Sequence, residues 1–221
     1  MHHTAVLFDL DGVIIDTEGQ YSDFWKSIGM ADFPNMHDFH ERIKGHTLKQ
    51  IIATYYSENS DRAKEVIDEL HDFESKMQFP FIDGVVTFVK ALHTEGIPTA
   101  IVTSSDQEKM MRLYKQHPDI KELFDRIFTA ENAQRSKPAP DCYLHAAQEF
   151  GLEAKDCFVF EDSISGLQAG KNSGAIVIGL TTTNAASAIA PLCECIIQDF
   201  KGFSVKQMLN IKKTIEQTPI I

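Results

Sequence analysis

The chain is predicted to be an α/β protein, a Rossmann-like doubly wound parallel sheet with a helical domain inserted after its first strand. Three observations carry this. An apolar run of strand length, Thr4-Ala-Val-Leu-Phe8, opens the chain and ends in two carboxylates, Asp9 and Asp11, one residue apart. Residues 17–80 then hold aromatic and charged residues at helical spacing, with few strand-like runs. From Asp83 onward β-rich runs and amphipathic helices take turns, a pattern that specifies a parallel sheet covered by helices on both faces through right-handed crossovers. At 221 residues the chain can hold a main domain and a smaller insert. The predicted division is a core of residues 1–16 and 81–221 and a helical domain of residues 17–80, joined by short tethers near 14–18 and 79–83 that permit hinge motion.

Each element follows from local pattern. Tyr21, Phe24, Trp25 and Ile28 recur at three and four residues, as do Leu48, Ile51, Ile52 and Tyr55 after a capping Gly45-His46-Thr47. Residues 61–79 make the longest amphipathic stretch and stop at Pro80. A helix runs through Val85, Phe88, Val89 and Leu92 to Gly96, a strand lies within Ile97–Thr103, and another helix starts near Asp106. The remaining alternation is strand 126–130, helix 141–150, strand 157–160, helix 163–173 and strand 175–180, with a short strand at 195–197 and a last helix from Ser204.

Composition narrows the function. With 21 basic and 32 acidic residues the net charge is −11, which argues against wrapping a polyanion and excludes nucleic acid as the expected partner. A phosphate can still be held locally by a few cations or a metal. The four cysteines are spaced too irregularly for zinc and are read as reduced thiols. No signal-peptide core opens the chain and no run approaches the roughly 18 apolar residues of a membrane span, so the expected location is cytoplasmic, without a membrane partner. The oligomeric expectation is a monomer or weak dimer. The histidines show no pairing at metal-ligand spacing and are expected at the surface.

In a parallel α/β sheet ligands bind beyond the carboxyl ends of the strands, so the residues that follow each apolar run matter most. The first run ends in Asp9 and Asp11, the second in Thr103-Ser104-Ser105, and the Cys157 run in Glu161-Asp162-Ser163, while a loop holding Lys137 follows the Ile127 strand. Asp9-Leu-Asp11 alone fits a strand and a solvated Asp-Gly turn equally well. Together with the other groups it suits phosphoryl transfer through an aspartyl phosphate. Asp9 is the nucleophile. Mg2+ would let crowded acids ionise together, with Asp9, the carbonyl of Asp11 and the Glu161-Asp162 pair as the candidate ligands. Lys137 balances charge, and the Thr103 hydroxyl, Ser104, Ser105 and the backbone N–H groups around Leu10 bind the non-bridging oxygens. Asp11 is left to protonate the leaving oxygen and then deprotonate a water.

Asp9-Leu-Asp11-Gly-Val-x-x-Asp-Thr, Thr103-Ser104-Ser105, Lys137-Pro-x-Pro-Asp and Glu161-Asp162-Ser-x-x-Gly166 resemble, in order, the four motifs of the haloacid dehalogenase superfamily. Residues 17–80 resemble the small helical cap of its β-phosphoglucomutase and phosphatase branch. The resemblance implies an Mg2+-dependent phosphotransferase with a mobile cap, and not a dehalogenase, since those lack the second Asp of the first motif. The mutases carry a His shortly after Asp-Thr and a Lys-Gly-x-x-Arg element in the cap. Here Tyr21 stands at the position of that His, and the element reads Lys44-Gly45-His46-Thr47-Leu48, without the Arg. Loss of a cationic fork weakens the mutase assignment. Lys44 and His46 remain the cap candidates for substrate contact, against a reading as a solvated helix start. Trp25 is assigned to packing. The expected activity is hydrolysis of a small phosphorylated metabolite, a sugar phosphate foremost. The rivals are a β-phosphoglucomutase-like mutase, an inorganic pyrophosphatase and, from another class, a phospho-acceptor signalling domain, which places its acids differently and is about half this size.

Overall fold

The computed structural model describes residues 4–43 and 48–217. It divides into two compact units, Thr17–Gln78 and the combination of Met1–Asp16 with Phe79–Ile221. The first is built from helices α1 (Glu18–Asp32), α2 (Phe39–Arg42), α3 (Leu48–Tyr55) and α4 (Ser60–Lys76). Trp25, Ile28, Phe39, Ile43, Ile51, Val66 and Leu70 form its core, so the helical spacing of the sequence is the buried stripe. A Cβ on Gly29 would lie 2.8 Å from Phe39 Cβ, which lets α1 and α2 approach closely. Asp32 of α1 accepts from Tyr56 Oη at 2.8 Å and from Arg62 Nε of α4 at 3.0 Å, a largely buried polar tie between those helices. α4 starts where Asn59 accepts from the Arg62 N–H and ends at Lys76, three residues before the expected end, because Met77 turns to extended backbone.

The second unit holds one sheet. Strands β1 (Ala5–Phe8), β2 (Thr99–Val102), β3 (Arg126–Phe128), β4 (Cys157–Glu161), β5 (Ile176–Leu180) and β6 (Cys195–Ile197) lie in the order β3-β2-β1-β4-β5-β6, every pair parallel. The strand order reverses at β1 and β4, where such sheets open a crevice beyond their carboxyl ends. Phe8 pairs with Ile101 on one side and Phe160 on the other, so the residues after β1, β2 and β4 emerge at one edge. The connecting helices are α5 (Val85–Thr94), α6 (Gln107–Gln116), α7 (Ile120–Leu123), α8 (Asp141–Glu149), α9 (Ile164–Ser173), α10 (Ala186–Ile189) and α11 (Val205–Gln217). β1, β2, β4 and β5 are buried throughout, which explains why they read as continuous apolar runs. Successive side chains serve opposite faces. Leu7, Val102, Val159 and Val177 share a cluster with Tyr143 and Ala146 of α8. Phe8 stacks on Phe160 at 5.0 Å and meets Phe88 and Phe124 edge-on.

Several expectations shift. The single-turn helices α2, α7 and α10 were not anticipated, since one turn gives no periodicity to read. Phe79 and Pro80, assigned by sequence to the helical domain, belong to the sheet unit. Phe79 is buried and its N–H donates to Gln116 Oε1, while the Pro80 carbonyl accepts from the Asp16 N–H at 2.8 Å. The histidines are not all surface groups. His117 donates from Nε2 to the Phe79 carbonyl at 2.6 Å and packs on Phe81, and His145 packs edge-on against Phe128. An imidazole buries its apolar faces as readily as it exposes its nitrogens. No helix among the described residues is long and apolar enough to cross a membrane.

Candidate active site

β1 delivers Asp9 to the carboxyl edge and fixes its backbone through the Asp9 N–H, which donates to the Phe160 carbonyl at 2.9 Å. Lys137 comes from the loop before α8, and its Nζ lies 2.5 Å from Asp9 Oδ1, 2.7 Å from Glu161 Oε1 and 3.2 Å from the Val102 carbonyl. Glu161 ends β4 with no exposed surface, and both of its oxygens are saturated. Oε1 also accepts from Tyr143 Oη, and Oε2 from the N–H groups of Asp162 and Ser163 and from Ser163 Oγ. The same Ser163 hydroxyl accepts from the Gly166 N–H and so caps α9. Gly166 is required there, because a Cβ would lie 1.7 Å from Glu161 Oε1.

Asp11 has partners of its own. Its Oδ1 accepts from Lys109 Nζ at 2.6 Å and its Oδ2 from Ser105 Oγ at 3.1 Å. Thr103 is buried, and its Oγ1 accepts from the Ser105 N–H at 3.0 Å, which leaves its own proton to offer. The N–H groups of Leu10 and Ser104 meet no acceptor among the described residues. Asp162 is buried and contacts the turn after β1 so closely that a Cβ on Gly12, which has φ +71°, would overlap its carboxylate.

One ligand oxygen each from Asp9, Glu161 and Asp162 can be chosen so that all lie within 4.8 Å of one another. Burial pushes the Asp9 carboxyl up to about 7 even though Lys137 opposes the shift, with Glu161 and Asp11 adding to it. Burial, then Glu161 and Asp9, holds Asp162 well above the usual carboxylate range. Burial alone would lower Lys137, but Asp9 and Glu161 outweigh it and keep the ammonium charged. Lys137 pairs with Asp9 and Glu161 while Asp162 adds a third buried acid beside them, and this oxygen-only set with its excess of acid fits a hard divalent cation.

The sequence-predicted core residues Asp9, Asp11, Thr103, Ser105, Lys137, Glu161 and Asp162 are thus gathered at one sheet edge. Ser104 sits on the same loop with its side chain exposed. Lys44 and His46 lie outside the described residues. Tyr21, in the helical unit, donates from Oη to Glu74 Oε1 at 2.9 Å and lines a cavity of about 270 Å³ with Trp25 and His40. Sequence reasoning missed Lys109, Tyr143 and the loop after β5. Thr182 to Asn184 were detectable, because they follow an apolar run just as Asp9 and Asp162 do.

Residues 6–180 match the family model described as haloacid dehalogenase-like hydrolase. The chain belongs to this family. Among curated haloacid dehalogenase-like relatives, (DL)-glycerol-3-phosphatase 2 of Arabidopsis thaliana is 30% identical over 188 residues, covering 79% of this chain and 78% of the relative. A β-phosphoglucomutase of Mycobacterium bovis is 26% identical and covers 85% of each chain. The bifunctional riboflavin kinase/FMN phosphatase of Arabidopsis thaliana is 28% identical over 185 residues, 80% of this chain, and the match spans 48% of that longer protein. Among solved structures, a family IA, variant 3 hydrolase from Entamoeba histolytica superposes with a TM-score of 0.81 at 28% identity, covering 95% of this chain and 99% of that one. The chain is accordingly an enzyme of the phosphatase and phosphomutase branch of the haloacid dehalogenase-like hydrolases.

Proposed function

We propose that the chain is an Mg2+-dependent phosphatase that hydrolyses a small phosphorylated metabolite, a sugar phosphate foremost, through an aspartyl phosphate on Asp9. The observation that carries this reading is that the two motif acids have different partners. Asp9 lies in the acidic cluster with Lys137, Glu161 and Asp162, whereas Asp11 accepts from Lys109 and Ser105. Asp9 attacks phosphorus, the bond to the leaving oxygen breaks, and that oxygen takes a proton from Asp11. A water then attacks the acyl phosphate, gives its proton to Asp11, and phosphate leaves with Asp9 restored. The Thr103 hydroxyl and the N–H groups of Leu10 and Ser104 are the donors for the phosphoryl oxygens. Asp9, Asp162 and the Asp11 carbonyl would hold the cation, whose charge lets the acids ionise together and screens the approach of a phosphate dianion. Glu161, with every lone pair engaged, is assigned to fixing Lys137 instead of ligating. Tyr21, Lys44 and His46 are assigned to the remainder of the substrate.

The β-phosphoglucomutase relative makes a mutase the second reading. Phosphate release from a panel of sugar phosphates, nucleotides and pyrophosphate, beside a glucose 1-phosphate isomerisation assay, separates the readings. Asp9→Asn is expected to lower turnover by at least about 10³-fold while the protein stays folded. EDTA is expected to silence the enzyme and Mg2+ to restore it. Turnover by Asp9→Asn at the parent rate would overturn the mechanism.

A further inference from the structure

We infer that Thr182, Thr183 and Asn184, in the loop after β5, form a positioning clamp that sets the affinity and size preference of the cation site; this rests on the divalent-cation reading above. The three consecutive side chains each donate one hydrogen bond to the loops that would supply ligands. Thr183 Oγ1 donates to Asp162 Oδ2, Asn184 Nδ2 donates to the Asp162 carbonyl at 2.9 Å, and Thr182 Oγ1 donates to the Gly12 carbonyl at 2.6 Å. Asp162 is therefore held through both its side chain and its main chain, and the turn after Asp11 is tied to the same segment. The two held parts are also in contact, as the overlap of a Gly12 Cβ with the Asp162 carboxylate requires. None of the three residues belongs to the four motifs.

Hydrogen bonds to a ligating carboxylate fix its rotamer, and removing such a partner typically weakens metal binding by about 10–100-fold. A clamp that stops the β1 and β4 loops from spreading also favours a small cation. Mg2+ demands short, near-octahedral oxygen ligation, whereas Ca2+ takes more ligands at longer range and tolerates a loose site.

The test is calorimetric titration of the full chain, without substrate, with MgCl2 and with CaCl2. Thr183→Val keeps the side-chain shape and removes the donor. It is expected to weaken Mg2+ binding by about 10–100-fold and Ca2+ binding less, so that the preference for Mg2+ narrows. Thr183→Ser, which keeps the hydroxyl, is expected to stay within about threefold of the parent, and Asn184→Ala to weaken Mg2+ in the same direction as Thr183→Val. Circular dichroism checks that each variant is folded, and Asn184→Ala carries the test should Thr183→Val not fold. Mg2+ affinity within about twofold of the parent in the folded variants overturns the clamp while leaving the cation site intact. A parent chain that binds neither ion overturns the cation reading and the clamp with it.

Discussion

A position beside the site that tolerates no side chain is Gly166. Gly166 lies in the first turn of α9 directly against the Glu161 carboxylate, which in turn anchors Lys137. Gly166→Ala is expected to cost about 1–3 kcal/mol or more by overpacking, read as a lower urea midpoint, and to depress turnover because the Lys137 anchor moves. Lys109 tests a different link. It pairs with Asp11 at 2.6 Å, the lysine mostly buried and the carboxylate partly so, and Lys109→Met should lower kcat by about tenfold with little change in KM. An equal fall in both parameters would mean that Lys109 binds substrate instead of holding the acid.

At the scale of the element, Ser163 joins a helix start to the site. Its hydroxyl accepts from the Gly166 N–H and donates to Glu161 Oε2, so Ser163→Ala removes an N-cap and a partner of a buried carboxylate together. The expected loss is about 1–2 kcal/mol of stability in denaturant unfolding, with reduced activity. Elements of this length were legible in the sequence because β1, β4 and β5 are buried on both faces and helices such as α4 on one, and these two burial modes leave different periods. Asp9, Asp11, Thr103, Lys137 and Asp162 were legible because a parallel sheet delivers whatever follows its strands to one edge. Lys109 was not, since it lies in the first turn of α6 and only the packing of that helix brings its ammonium to Asp11. Nor was the saturation of Glu161, because its five bonds come from α8, the Lys137 loop and its own chain neighbours.

Over the whole molecule the crowded acids link folding to pH and, through the proposed site, to cations. Burial raises Asp9 from 3.8 in the unfolded chain to about 7. Without a divalent ion its contribution to stability is present in full below pH 3.8 and is lost as pH rises through about 7, because the unfolded chain releases that proton more readily. The thermal shift produced by Mg2+ is accordingly expected to grow from pH 5 to pH 8, measured as the difference in Tm with MgCl2 and with EDTA. A shift that does not change with pH would detach the acids from the cation. A separate consequence follows from how the chain leaves and rejoins the sheet unit. The Asp16 N–H donates to the Pro80 carbonyl and the Ile82 N–H to the Ile14 carbonyl at 2.9 Å, so the two cut points of the insert are stapled side by side. Everything between them is topologically a closed loop grafted onto a finished scaffold, and evolution or an engineer can exchange that cassette for one of another length or chemistry without redrawing a single strand pairing.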